Sequence, residues 1–156
     1  MQTLYRHFTN KEELAVACDA EKLGRFRKAV RNRKGDQTTF DFWVHFVAES
    51  AARVTEADGG QQYRETKRER GGPDVGVARG YEELLAESLE KEFPQPDEGP
   101  IPPITRLAAI ALWGANAFVV RRYAADGDFE LGVEAVAAAR RVESIFLPLL
   151  VAASKP

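Results

Sequence analysis

Residues 104–125 read ITRLAAIALWGANAFVVRRYAA, a stretch without proline whose apolar positions lie on nearly every side of a helix. A helix of that kind must be covered on more than one side. Its longest nearly apolar run, Leu107 to Val120, is interrupted by Asn116 and is too short to span a bilayer comfortably, so it reads as a buried helix. Asp126-Gly127-Asp128 then makes a turn, with Asp128 placed to cap a last helix from about Phe129 to Leu150. Two long apolar helices joined by so short a turn predict an antiparallel pair and an all-α fold. Pro148 is expected to fray or kink the end of the last helix.

Working back toward the N-terminus, Pro94 to Pro103 holds five prolines and cannot be regular helix. Tyr81, Leu84, Leu85, Leu89 and Phe93 mark an amphipathic helix that ends at Pro94. Residues 61–73 are polar and charged and lie between Gly59-Gly60 and Gly71-Gly72-Pro73, which predicts a loop with at most a short helix. A helix is expected from Thr38 or Thr39 to about Asp58, with Phe42 and Phe46 on one face and Trp43 and Val47 on another. Asn32 to Gln37 form a turn. Before it, Leu14, Cys18, Leu23, Phe26 and Val30 give a stripe to a helix that starts after Asn10 and reaches about Val30.

The composition agrees. A hydrophobic fraction of 44% over 156 residues is enough for one sizeable core, which argues against wholesale disorder. One cysteine, Cys18, excludes an internal disulfide framework and fits a reducing cytoplasm. The N-terminus is polar rather than apolar, unlike a secretory leader, so a cytoplasmic chain with no membrane partner is expected. Residues 1–34 carry nine Lys/Arg against four acids, a net +5 that leaves −7 for the rest. A basic end on an acidic body suits a nucleic-acid-facing terminus. A solvated helix face with a basic last turn reads equally well from charge alone.

The stretch Met1-Gln2-Thr3-Leu4-Tyr5-Arg6-His7-Phe8-Thr9-Asn10-Lys11-Glu12-Glu13-Leu14 closely resembles the signature of the TetR family of bacterial transcriptional regulators. In that family Thr-Leu-Tyr-x-His-Phe ends the recognition helix and Lys-Glu-x-Leu opens the next. The resemblance implies a remnant of the recognition helix in residues 1–10, a linking helix in 11–34, and a ligand-binding and dimerisation domain in 35–156. It implies phosphate contacts from Tyr5, His7 and Lys11, with Gln2, Thr3 and Arg6 as further base or backbone contacts. The chemistry is consistent: hydroxyl and imidazole groups donate to phosphate oxygens, and Lys11 sits at a helix N-terminus that favours anions. In the family two helices precede this one and Met1 falls inside the recognition helix, so specific DNA binding by this chain is not expected.

The function implied is a ligand-responsive regulator, a repressor in the usual case. The alternative is a helical dimerisation or small-molecule-binding module without DNA activity. Phe42, Trp43, Phe46, Tyr81, Trp113, Asn116 and Phe118 are the candidate lining of a pocket for a small, mostly apolar effector. Each is also a candidate for plain core. His45 and Glu49 are too few to make a metal site, and no catalytic constellation stands out, so neither an enzyme nor a cofactor is expected. A homodimer through 104–125 and 129–150 is expected, using Leu107, Ile110, Ala111, Leu112, Ala115, Phe118 and Val119 with Val136, Ala139, Val142, Ile145, Phe146 and Leu149.

Overall fold

The computed structural model describes residues 11–56, 60–70, 75–95, 102–126 and 129–154. Among them the chain is all-α, with six helices and no strand: α1 (Lys11–Arg31), α2 (Thr39–Glu56), α3 (Gln61–Arg70), α4 (Val75–Glu92), α5 (Ile104–Ala125) and α6 (Leu131–Ala153). The proposed DNA contacts Gln2, Thr3, Tyr5, Arg6 and His7 lie outside the described residues, as does the expected cap Asp128. Lys11 opens α1, and its side chain is likewise outside them.

Helices α2, α4, α5 and α6 form a closed ring, each packed on the next. Pairs along their lengths fix the directions. Thr39 bonds Glu92 and Phe46 meets Tyr81, so α2 and α4 are antiparallel. Arg106 lies 3.7 Å from Glu90 and Trp113 stacks on Tyr81, so α4 and α5 are antiparallel. Asp41 pairs with Arg140 at 2.9 Å while Ala51 approaches Gly132, so α2 and α6 are antiparallel. Trp43, Phe40, Leu85, Leu89, Leu112 and Leu150 fill the ring, each at most 1% exposed. Such directional alternation is the usual solution for four helices sharing one core. Helix α1 lies outside the ring against α4, and α3 lies across α5.

The local signals for α2 are complete. The Thr38 hydroxyl accepts from the Asp41 backbone N–H at 3.1 Å and donates to the Asp41 carboxylate at 2.8 Å, a side-chain N-cap one residue before the helix. Helix α4 begins six residues before Tyr81, immediately after the Gly71-Gly72-Pro73 segment. Helix α6 continues through Pro148 to Ala153, further than its proline suggested.

Two expectations are corrected. Residues 61–70 form a ten-residue helix, more than the loop with at most a short helix that their almost wholly polar composition predicts. Tertiary anchors explain it. Arg68 donates to the carbonyl of Ala124 and Arg64 to the Tyr123 hydroxyl at 3.3 Å, and the Tyr63 ring meets Tyr123 at 6.5 Å. Arg68 thereby satisfies a carbonyl in the last turn of α5, where a cation is also favoured by the helix dipole.

The second correction concerns α5 and α6. Leu112, Val119, Ala139 and Val142 belong to the chain's own core, each no more than 8% exposed. What remains outside is Leu107, Ile110 and Phe118 on α5 and Val133, Ile145, Leu149 and Val151 on α6. By length and composition α5 is apolar enough to cross a membrane, yet only 28% of its most apolar window is buried within the chain.

Candidate functional site

Six rings from four helices come together in the bundle. Helix α2 supplies Phe42, Trp43 and Phe46, which its 3.6-residue period gathers on one side. Helix α1 supplies Phe26, α4 supplies Tyr81 and α5 supplies Trp113. Tyr81 bridges α1, α2 and α5: its ring stacks on Trp113 at 4.3 Å and 18°, lies 4.5 Å from Phe26 and 6.5 Å from Phe46. Trp43 stacks on Phe46 at 5.8 Å, presents an edge-on contact with Phe26 at 5.7 Å and lies 6.5 Å from Trp113. Phe42 meets Phe26 at 5.9 Å and Phe46 at 6.1 Å. These offset and edge-on geometries are the favoured ones for aromatic pairs, worth about 0.5–1.5 kcal/mol each beyond burial.

Of the seven positions singled out from sequence, Phe42, Trp43, Phe46, Tyr81 and Trp113 therefore come together. Asn116 is half-buried on α5, about 60° round the helix from Trp113. Phe118 stands apart. Five residues beyond Trp113, it is turned about 140° away, and 56% of it is exposed. Sequence reasoning missed Phe26, which is fully buried at the centre of the ring group. It is the sole aromatic residue among positions 11–34 and lies on the apolar stripe of α1, so a signal was present.

The six rings are apolar, with polar groups at their edges. The indole N–H of Trp43, a residue 1% exposed, has no hydrogen-bond partner. An unmet buried donor costs about 1–3 kcal/mol and calls for an explanation. Glu82, beside Tyr81 on α4, is pushed above the usual carboxylate range, first by burial and then by Glu83. One turn before Trp43 a polar clasp closes the bundle end. Glu92 pairs with Arg33 at 2.7 Å and accepts from the Thr39 hydroxyl at 2.6 Å and backbone N–H at 3.1 Å.

Chemically this arrangement suits a flat apolar molecule held by ring contacts, not proton transfer. His45 is exposed on α2, with Nε2 3.7 Å from Glu49, and among the described residues no group of three metal-ligating side chains forms. No family model matches the chain, and no significant similarity to a curated protein or to a solved structure is found.

Proposed function

We propose that the chain is the sensing and dimerising part of a TetR-type transcriptional regulator, with the aromatic cluster as its effector site. The observation that carries this reading is Phe26. The element that follows the Thr-Leu-Tyr-x-His-Phe stretch is α1, and α1 places a ring in the middle of the candidate ligand site, 4.5 Å from Tyr81. A molecule that parts these rings moves α1 relative to α4, and α1 is the segment that leads to the DNA-reading residues. A ligand shifts such an equilibrium only by its differential affinity for the two arrangements; a ring shared between site and linker supplies that difference.

The exposed apolar residues of α5 and α6 support the second half of the reading. Contiguous patches of this kind are uncommon on monomers, and two adjacent helices presenting them suit a two-fold four-helix interface.

The test is a chimera in which residues 11–156 follow the DNA-binding helices of a TetR-type regulator whose operator is known. The reading predicts operator protection by a dimer of the chimera. An intact reading head that fails to protect the operator on this body would sink it, leaving a helical binding module without DNA activity.

A further inference from the structure

We infer that the ligand of the aromatic cluster is a flat, uncharged aromatic molecule with a hydrogen-bond acceptor on its rim, which takes the place of Trp113 over Tyr81 and accepts from the indole N–H of Trp43. This rests on the reading of the cluster as an effector site and adds the chemical class of what fills it.

Flatness follows from the Tyr81–Trp113 stack. At 4.3 Å and 18° it is the closest and most nearly parallel ring pair in the group. Trp113 is also only half-buried, whereas Tyr81 beneath it is 6% exposed and Trp43 1%. Trp113 is thus the outer ring, and turning it aside uncovers one broad face of Tyr81. A planar molecule there recovers the stacking that Trp113 gives up.

The acceptor follows from Trp43. Its N–H is the one polar group of this ring buried with no partner, and its ring lies 6.5 Å from that of Trp113. A ring in the position of Trp113 therefore stands beside the Trp43 ring. An acceptor on its rim converts an unmet donor into a hydrogen bond. A donor in the same place gains nothing, because an indole N–H cannot accept.

The absence of charge follows from the neighbours. The rings in mutual contact belong to Phe, Tyr and Trp only, and their faces are turned to one another. A cation in the place of Trp113 loses its hydration, and the uncovered face of Tyr81 returns only part of that cost.

An isosteric series tests the three properties on the full chain: quinoline (acceptor), naphthalene (no acceptor) and N-methylquinolinium (cation). Calorimetry gives the affinities, and the two indole N–H resonances in a nitrogen–proton spectrum report the site; Trp43→Phe assigns them and removes the donor while keeping a ring. Quinoline is expected to bind roughly five- to tenfold more tightly than naphthalene, the worth of one hydrogen bond. It should move the Trp43 N–H resonance downfield, and the preference should vanish in Trp43→Phe. Equal binding of quinoline and naphthalene with no downfield shift overturns the acceptor while leaving an apolar site. Tightest binding by N-methylquinolinium overturns the uncharged class. If none of the three moves either indole resonance, the cluster is closed core, and both this inference and the effector-site reading fall.

Discussion

Glu92 closes α4 by taking both the backbone N–H and the hydroxyl of Thr39, at 3.1 and 2.6 Å, so that the carboxylate of one helix completes the first turn of another. The position suits an anion, since the first turn of α2 has unpaired N–H groups and a partial positive charge. Arg33 binds the same carboxylate at 2.7 Å and also donates to the Thr39 hydroxyl at 2.6 Å. Arg33 and Glu92 side chains are only 19% and 21% exposed. Removing the carboxylate strands both partners. Glu92→Ala should cost about 1–3 kcal/mol, and Glu92→Gln somewhat less because an amide oxygen still accepts. Urea unfolding followed by circular dichroism checks this, and an unchanged midpoint for Glu92→Ala would show that the clasp is ornamental.

Among the described glycines Gly60 has a positive φ, +77°, and the Tyr123 hydroxyl occupies the space where a Cβ would project. Two penalties act on any side chain here: the left-handed backbone and the phenol. Gly60→Ala is expected to destabilise by about 2 kcal/mol or more. In a Tyr123→Phe background the worst of the clash disappears, leaving the backbone part and a tight approach to Cζ of the ring. A double-mutant cycle should therefore show coupling above about 0.5 kcal/mol. Additive effects would mean that the phenol is not the obstacle.

Gly80 has a different reason to lack a side chain. A Cβ there would stand 2.5 Å from Cδ2 of Leu23, so glycine lets α1 settle on α4. Gly80→Ala gains about 1 kcal/mol of helix propensity and pushes aside a flexible leucine end. Global stability should change little, while α1 loosens. Hydrogen exchange should quicken in residues 20–31 and stay unchanged in α5 and α6. Uniform exchange throughout would contradict a local role.

Two carboxylates set opposite pH dependences. Asp41 is held below the usual carboxylate range, first by the hydrogen bond from Thr38 and then by Arg140. A depressed value contributes stability above the unfolded-state value, lost as pH falls below about 4. Glu82 is raised by burial and by Glu83, so it favours the folded state at low pH and opposes it once pH climbs through its raised value. Asp41→Asn should flatten the acid limb of a Tm-against-pH curve. Glu82→Gln should raise Tm at neutral pH and not below pH 4. Both effects are modest, since the Asp41–Arg140 pair is about half exposed.

The helical class and the bounds of α5 were legible because period and proline placement carry them: Ile104–Ala125 is where the sequence put it. Helix α3 was not legible, because it is stabilised by Arg64 and Arg68 reaching α5, contacts that no local pattern encodes. The start of α4 at Val75 was not marked, because Gly76 and Gly80 are poor helix formers, and what makes glycine fit at position 80 is Leu23 of another helix. In the site, five rings were legible as aromatics at helical spacing. Phe26 was legible as an inward residue of the α1 stripe, but a single aromatic there does not say which helix it faces. Phe118 misled for the opposite reason: an aromatic in an apolar helix reads as lining until its turn about the axis is counted from Trp113.

That turn makes Phe118 informative about assembly. Leu107, Ile110, Gly114 and Phe118 repeat at three- and four-residue steps and form one stripe down α5, exposed at every position. No atom lies within 4 Å of where a Cβ of Gly114 would be, so another backbone can approach closely at mid-stripe. Ile145 and Leu149 extend the apolar surface onto α6, 55% and 48% exposed. A second copy covering this surface removes it from water on both chains at once, and a standard interface needs about 800 Å² per partner. Sedimentation at micromolar concentration should find a dimer. Phe118→Glu with Ile145→Glu should give a monomer of unchanged helicity, because neither side chain belongs to the buried core. Val142→Glu should instead unfold the chain, since Val142 is 8% exposed and packs inward. A dimer that survives the Phe118 and Ile145 pair would move the interface elsewhere, and a wild-type monomer would remove it.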